Sequence, residues 1–232
     1  MMDKREFNDT IYYYFSRVGK ALTSPKRMEL LDLLTQGPKT VEALSNETEM
    51  SIANTSQHLQ VLLDTKLVKC RRRGNFMVYS LGNTKVCDLI QSLQKVTEDR
   101  FDEVRQMRTE FIERPEEIES LELEEFLKME DFDSYLVVDV RPESEYNASH
   151  IKGAISIPYD SFMDRVSELP TDRRIIVYCR GYYCVHATEA VQYLSTQGYQ
   201  AIRLNAGIQH WKRAVGTEGQ VHRPTQHVSD FC

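Results

Sequence analysis

Two thiols separated by four residues, Cys179-Arg180-Gly181-Tyr182-Tyr183-Cys184, follow the apolar run Ile175-Ile176-Val177-Tyr178 and precede a helical segment. A loop leading from a strand into a helix N-terminus turns backbone N–H groups inward and forms an anion cradle. A thiolate at its centre has a lowered pKa and is nucleophilic at neutral pH, which makes Cys179 the candidate nucleophile. Arg180 adds positive charge beside it, Gly181 relieves a tight backbone, and Tyr182 and Tyr183 are expected at the mouth of the pocket. Cys184 supplies a second thiol to the same loop. The spacing leaves open whether the two sulfurs meet. His186 is expected to be packed or solvent-facing rather than catalytic.

A second set of functional types lies near the N-terminus. The segment Ser51-Ile52-Ala53-Asn54-Thr55-Ser56-Gln57-His58-Leu59-Gln60-Val61-Leu62 has helical period and no charge. Asn54, Thr55, Gln57, His58 and Gln60 form its polar face, the donors and acceptors that read base edges in a major groove. Ile52, Leu59 and Leu62 are expected to face the core. Downstream, Arg71, Arg72 and Arg73 precede Gly74-Asn75 between two extended arms, a hairpin signature. Those arginines attract phosphate irrespective of sequence, and Asn75 sits with them at the tip. Double-stranded DNA is the expected partner.

Both sets need elements to hold them. Apolar residues recur at helical period from Phe7 to Leu22, and Ser24-Pro25 starts a second helix that Gly37-Pro38 ends. Short helices are expected over Thr40–Ser45 and Ser51–Leu63. From residue 85 to about 112 the period continues through Val86, Ile90, Leu93, Val96, Val104, Met107 and Phe111. As one helix this would be ~40 Å long, more than a small domain needs, and it is read as a dimerisation strut and linker. Around Arg114-Pro115-Glu116-Glu117 the pattern breaks. Beyond it, Leu136-Val137-Val138, Ile175-Ile176-Val177 and Ala201–Leu204 alternate with helices near Tyr159–Ser167 and Val185–Gln197, a βαβ texture with a buried parallel sheet. The expected division is 1–112 for DNA binding and dimerisation, 113–118 as linker, 119–214 as an α/β domain and 215–232 as a polar tail.

Charge supports two units with different partners. The chain of 232 residues has a net charge of -6, which by itself argues against nucleic acid. Residues 1–110, however, carry 17 Lys and Arg against 15 Asp and Glu, and the remainder 12 against 20, so the deficit lies in the second half. No run of about 18 apolar residues is present, so no membrane span is expected. The first residues have no apolar stretch after their charges, so no secretory leader is expected either. Five irregularly spaced cysteines form no disulfide framework, which fits a reducing cytoplasm. Cys70, Cys87 and Cys232 receive no role.

The stretches Ser24-Pro25-Lys26-Arg27-Met28-Glu29-Leu30-Leu31, Ser56-Gln57-His58-Leu59-Gln60-Val61-Leu62 and Gly74-Asn75-Phe76-Met77-Val78-Tyr79 together resemble the ArsR family of bacterial repressors. That resemblance implies a mainly α winged helix-turn-helix with a β-hairpin wing, a homodimer joined through its first and last helices, and a palindromic operator. Many of these repressors sense metals through Cys or His ligands. Here no Cys-x-Cys pair precedes the recognition helix and His58 is the only histidine of this half, so neither a metal nor a cofactor is expected. Others sense persulfides with a cysteine pair in this domain, but Asp32 stands where a partner thiol would be.

Val138-Asp139-Val140-Arg141-Pro142-Glu143-Ser144-Glu145-Tyr146, His150-Ile151-Lys152-Gly153-Ala154 and Leu204-Asn205-Ala206-Gly207-Ile208-Gln209-His210-Trp211, taken with the cysteine loop, resemble a rhodanese domain. The resemblance implies a sulfurtransferase-type chemistry in which Cys179 takes sulfane sulfur from thiosulfate or a persulfide and passes it to a thiol acceptor. Asp139 and Arg141 would support the loop from beneath, with His150 and Gly153 in an adjoining turn. The sixth loop position, where many catalytic rhodaneses place an anion-clamping arginine, is Cys184, and Arg180 is the residue left to take part of that role. With a persulfide on Cys179, the resemblance implies that the Cys184 thiol can attack it, releasing sulfide and closing a disulfide or polysulfide link. Three readings stay open: a repressor that senses reactive sulfur, a sulfurtransferase whose DNA-binding half dimerises or autoregulates, and an inactive rhodanese that binds a ligand.

Overall fold

A computed structural model describes residues 2–114, 116–129 and 134–215. The expected tail, with Cys232, lies outside the described residues apart from Val215. The chain divides into two compact units, Met1–Phe101 and Asp102–Cys232.

In the first unit, α1 (Lys4–Ala21) is capped by Asp3, whose carboxylate accepts from the Glu6 N–H, and α2 (Pro25–Thr35) starts with proline at its first position. The helix α2 buries Leu30, Leu31, Leu33 and Leu34, so it lies inside the core rather than on it. After β1 (Lys39–Thr40) come α3 (Val41–Glu47) and α4 (Ile52–Asp64), each capped by a hydroxyl, Thr40 on the Ala43 N–H and Ser51 on the Asn54 N–H. The strands β2 (Val68–Arg73) and β3 (Phe76–Leu81) form the hairpin, with Arg73 opposite Phe76 and Gly74 at φ +61°. A glycine at the first central residue of a two-residue hairpin loop adopts that angle without strain. The unit closes with α5 (Thr84–Arg100).

The expected single helix over 85–112 is interrupted. Phe101 is extended at φ -121°, and a new helix, α6 (Asp102–Arg108), begins beyond it and continues as a π-helical turn over Thr109–Glu113. Asp102 and Glu103 place acid at the new N-terminus, where the helix dipole favours it. The apolar period runs across this break, which is why periodicity alone reads one element.

The second unit is built on a five-stranded sheet in the order β4-β8-β7-β5-β6, every pair parallel: β4 (Ser120–Leu121), β5 (Tyr135–Asp139), β6 (Ile155–Ser156), β7 (Arg174–Cys179) and β8 (Ala201–Gly207). Helices α7 (Leu123–Lys128), α8 (Glu143–Ala148), α9 (Tyr159–Arg165), α10 (His186–Thr196) and α11 (Ile208–Val215) connect or follow these strands. Alternate residues of β7 enter different cores. Ile175, Val177 and Cys179 pack with Phe162, Ala187, Ala190 and Val191, whereas Ile176 and Tyr178 pack with Phe126, Ile151 and Ile208. Helices cover both faces, so the expected apolar strands are buried on both sides.

Candidate functional site

In the first unit, Asn54, Gln57 and Gln60 are exposed along α4 and His58 is half-buried beside them. Gln60 donates to the Asp64 carboxylate at 2.8 Å. Two expectations for this helix are corrected. Thr55 is fully buried, its hydroxyl donating to the Ser51 carbonyl at 3.0 Å, and it shares the inner face with Leu59 and Leu62 at the spacing i, i+4, i+7. Its methyl group and locally satisfied hydroxyl let a polar residue type serve as core. Ile52, one turn earlier, is exposed rather than buried. At the wing Arg71, Arg72, Arg73, Gly74 and Asn75 are all exposed, and Arg72 donates through Nε to the Gly74 carbonyl.

In the second unit Cys179 ends β7 with 2% of its surface exposed, and a disulfide joins it to Cys184 with the Cα atoms 6.2 Å apart. That separation falls in the usual range for a cystine. The loop turns back on itself: the Cys184 N–H donates to the Gly181 carbonyl at 3.2 Å, so this N–H is used inside the loop. The helix α10 begins at His186, two residues after the expected start near Cys184. Gly181 has φ +144°, and a side chain there would meet the His210 ring. A side chain at Gly207 would meet the Arg180 carbonyl, so the loop and the end of β8 are packed backbone to backbone.

Arg180 is turned away from the role of anion clamp. Its guanidinium is paired with the Glu145 carboxylate of α8, Nε lying 3.1 Å from both oxygens and a terminal nitrogen 2.5 Å from one. Glu145 is 2% exposed, so Arg180 neutralises a buried charge. Tyr183 is exposed. Tyr182 is half-buried against His210, with ring centroids 4.4 Å apart, and the Arg108 guanidinium lies 5.6 Å from its centroid. His210 accepts from the Gly207 N–H at 3.2 Å, and burial, aided by Arg213, lowers its pKa to about 4.

Beneath the loop, Asp139 and Arg141 are fully buried and bonded through two guanidinium nitrogens, the shortest contact being 2.6 Å. The Tyr178 hydroxyl donates to Asp139 at 2.6 Å and accepts from the Ile151 N–H at 3.1 Å. Tyr178 adjoins Cys179 in the chain, so this network anchors the residue before Cys179. Burial, followed by the Asp139 charge, pushes the Tyr178 phenol far above its ordinary pKa. His150 stacks on Tyr146 at 3.9 Å, and Gly153, at φ +82°, lies in the turn that the Ala154 N–H closes on the Ile151 carbonyl.

The residue spacing identifies the thiol pair but not what surrounds it. Glu145, His210 and Arg108 come from other elements, distant from the loop in the chain. His186 stacks on Tyr159 at 4.3 Å, packed as expected, yet an imidazole nitrogen and both sulfurs all lie within 4.8 Å of one another. Burial, then the Arg180 charge, lowers the His186 pKa.

Comparison with known proteins places both units. Residues 122–214 match the Rhodanese-like domain family and residues 22–71 a helix-turn-helix domain family. Over 199 residues, 86% of this chain and 87% of the relative, the sequence is 38% identical to the HTH-type transcriptional regulator Rv0324 of Mycobacterium tuberculosis. The chain belongs to the ArsR-type winged helix-turn-helix regulators that carry a rhodanese domain. This regulator is also 34% identical over 87 residues to a sulfurtransferase of Allochromatium vinosum, covering 37% of this chain and 79% of that protein. A homodimeric winged helix-turn-helix DNA-binding domain from Mycobacterium bovis is 33% identical to it, covering 44% of this chain and 94% of that one, with a TM-score of 0.41. Among the described residues of the regulator, no helix is long and apolar enough to cross a membrane.

Proposed function

We propose that the rhodanese domain of this regulator is a sulfur sensor: Cys179 takes up sulfane sulfur, Cys184 resolves it, and the resulting change in the loop alters operator binding. The observation that carries this reading is the disulfide between Cys179 and Cys184 at a strand end where a rhodanese has its nucleophile. In the first step the Cys179 thiolate attacks the outer sulfur of thiosulfate. A Cys179 persulfide forms and sulfite leaves with the electron pair of the broken S–S bond. In the second step the Cys184 thiolate attacks the Cys179 sulfur, the disulfide closes, and the outer sulfur leaves as sulfide. Overall the two thiols are oxidised, thiosulfate yields sulfite and sulfide, and the two thiol protons leave with the sulfide.

A sensor is favoured over a multiple-turnover sulfurtransferase by the same loop. Cys184 takes the position of the clamping arginine, Arg180 is engaged by Glu145, and each closure has to be reset by a reductant. A thiol acceptor such as glutathione would serve as that reductant or remove the persulfide before Cys184 does. The regulator acts in the cytoplasm, where its DNA and such reductants are.

On DNA, two copies would present Asn54, Gln57, His58 and Gln60 to successive major grooves and Arg71, Arg72, Arg73 and Asn75 to the flanking phosphates. Homodimerisation is supported by apolar surface on the first and last helices of the unit. Phe7, Tyr12 and Phe15 on α1, and Leu89, Leu93 and Val96 on α5, are exposed in a single copy. Patches of this kind mark interaction sites.

The sulfur chemistry is tested by mass spectrometry of the reduced full-length chain after exposure to thiosulfate. The expected result is one added sulfur on Cys179 in Cys184→Ser, and in the parent a disulfide with one sulfide released per chain. Absence of added sulfur in Cys184→Ser would overturn the reading.

A further inference from the structure

His186 makes the thiol pair into a set of three soft or borderline donors. The sulfurs of Cys179 and Cys184 and a ring nitrogen of His186 lie within 4.8 Å of one another, in a sequence pattern Cys-x4-Cys-x-His. In the disulfide the sulfurs are bonded and hold no ion. A dithiol reductant opens that bond by exchange, taking up the oxidation as its own disulfide and leaving two thiols. Two thiolates about 2.3 Å from a tetrahedral ion would stand roughly 3.8 Å apart, a separation that the opened pair reaches by a small movement of the loop. The imidazole needs no search for its orientation, because it is stacked on Tyr159 in near-parallel planes at 4.3 Å. Tyr159 itself is held by its N–H donating to the Val140 carbonyl at 2.9 Å. Cys179 is buried, but Cys184 and His186 are only half-buried and give the ion a route in from solvent.

We propose that the reduced rhodanese loop binds one thiophilic divalent cation of the zinc and cadmium class through Cys179, Cys184 and His186, leaving a fourth position open to solvent or a small ligand. Two thiolates and one imidazole suit such ions and not magnesium or calcium. Binding displaces two thiol protons per ion. The site exists only in the reduced state, so the metal competes with sulfur uptake and with disulfide closure for the same thiolates. It rests on the position of three side chains and not on the sulfur reading above.

The test titrates cadmium ion into the full-length chain reduced with a phosphine that is then removed. The expected result is one ion per chain, seen as an ultraviolet thiolate-to-metal charge-transfer band, with no band in the disulfide form. Cys184→Ser and His186→Ala, both at half-buried positions, are expected to bind roughly tenfold or more weakly, since even outer-shell changes cost that much. Circular dichroism verifies that each variant is folded, and Cys70→Ser combined with Cys87→Ser is expected to leave the band intact. No band in the reduced parent, undiminished binding by folded Cys184→Ser and His186→Ala, or loss of the band in the Cys70/Cys87 double variant would overturn the proposal. Thiosulfate loading of the same preparation separates the two readings. Added sulfur without cadmium binding sinks only the metal site, and cadmium binding without added sulfur sinks only the sensor chemistry.

Discussion

The guanidinium of Arg108 lies 5.6 Å from the centre of the Tyr182 ring, which joins the end of α6 to the loop between Cys179 and Cys184. The helix α6 is the first element of the rhodanese unit and follows α5 directly in the chain. Tyr182 also meets His210. Movement of Tyr182 with the loop is expected to disturb its contact with Arg108 at the end of α6.

If Arg108 and Tyr182 carry part of the response, removing either side chain weakens it without abolishing DNA binding. A cation–π contact contributes about 0.5–1 kcal/mol, so Tyr182→Ala and Arg108→Gln are each expected to reduce the donor-induced shift in operator affinity about 2- to 5-fold. Reduced-state affinity should stay near the parent value. Fluorescence anisotropy with a labelled duplex reads both quantities, and an unchanged shift in both variants would show that the signal runs elsewhere.

Arg180 has a structural duty that the sequence reading assigns to substrate. Arg180→Ala removes the guanidinium from the buried Glu145 carboxylate, an expected loss of about 2–4 kcal/mol after allowing for the partial exposure of Arg180. Arg180→Lys keeps the charge but not the two-pronged geometry and should fall between. The single tryptophan, Trp211, lies in the same unit and packs with its core, so urea unfolding followed by its fluorescence reports this loss directly. A parent-like midpoint for Arg180→Ala would mean that Glu145 does not depend on it.

Acid should destabilise the rhodanese unit through His210. Its folded pKa of about 4 lies below the ~6.5 of an unfolded histidine, because burial disfavours the charged ring. Between those values the unfolded chain binds a proton that the folded chain does not, so stability rises with pH and is lost as pH falls through this window. The full shift corresponds to about 3 kcal/mol. His186, shifted in the same direction, adds to the slope. His210→Asn, which can still accept from the Gly207 N–H, is expected to flatten the dependence of the urea midpoint between pH 6.5 and pH 4. An identical slope would count against His210 as its source.

The two kinds of DNA contact should separate in a salt titration. Replacing Arg71, Arg72 and Arg73 together with alanine is expected to lower the slope of log affinity against log salt by about 2–3. Gln57→Ala should instead cost about 1–3 kcal/mol at one base position and leave the slope nearly unchanged. Thr55→Val, buried behind the reading face, should not alter base preference and should cost about 1 kcal/mol of folding stability through its lost hydrogen bond. A changed base preference in Thr55→Val would contradict the inward placement of that side chain.

What could be read in the sequence and what could not follow from the range of the interactions. The cysteine loop, the α4 donors and the arginine wing are contiguous segments, and their residue types carry their chemistry. Arg180 has the right type for an anion clamp, but its direction depends on Glu145, thirty-five residues away in the chain. The Tyr178–Asp139–Arg141 network likewise needs β5 and β7 to be neighbours, with Asp139 opposite Tyr178. Thr55 is a local misreading of another kind. Its spacing to Leu59 and Leu62 marks the inner face, while its hydroxyl marks a polar one, and the Ser51 carbonyl resolves the conflict in favour of spacing. The break at Phe101 is hidden for the opposite reason, since the apolar period continues through it.

The most direct test of the sensor is operator affinity of the full-length reduced chain, measured before and after treatment with thiosulfate, on a duplex selected by the reduced protein. Coupling of 1–3 kcal/mol corresponds to a 5- to 150-fold change, reversed by a dithiol and absent in Cys179→Ser. Equal affinity before and after treatment, in a chain whose disulfide has demonstrably closed, would contradict the account.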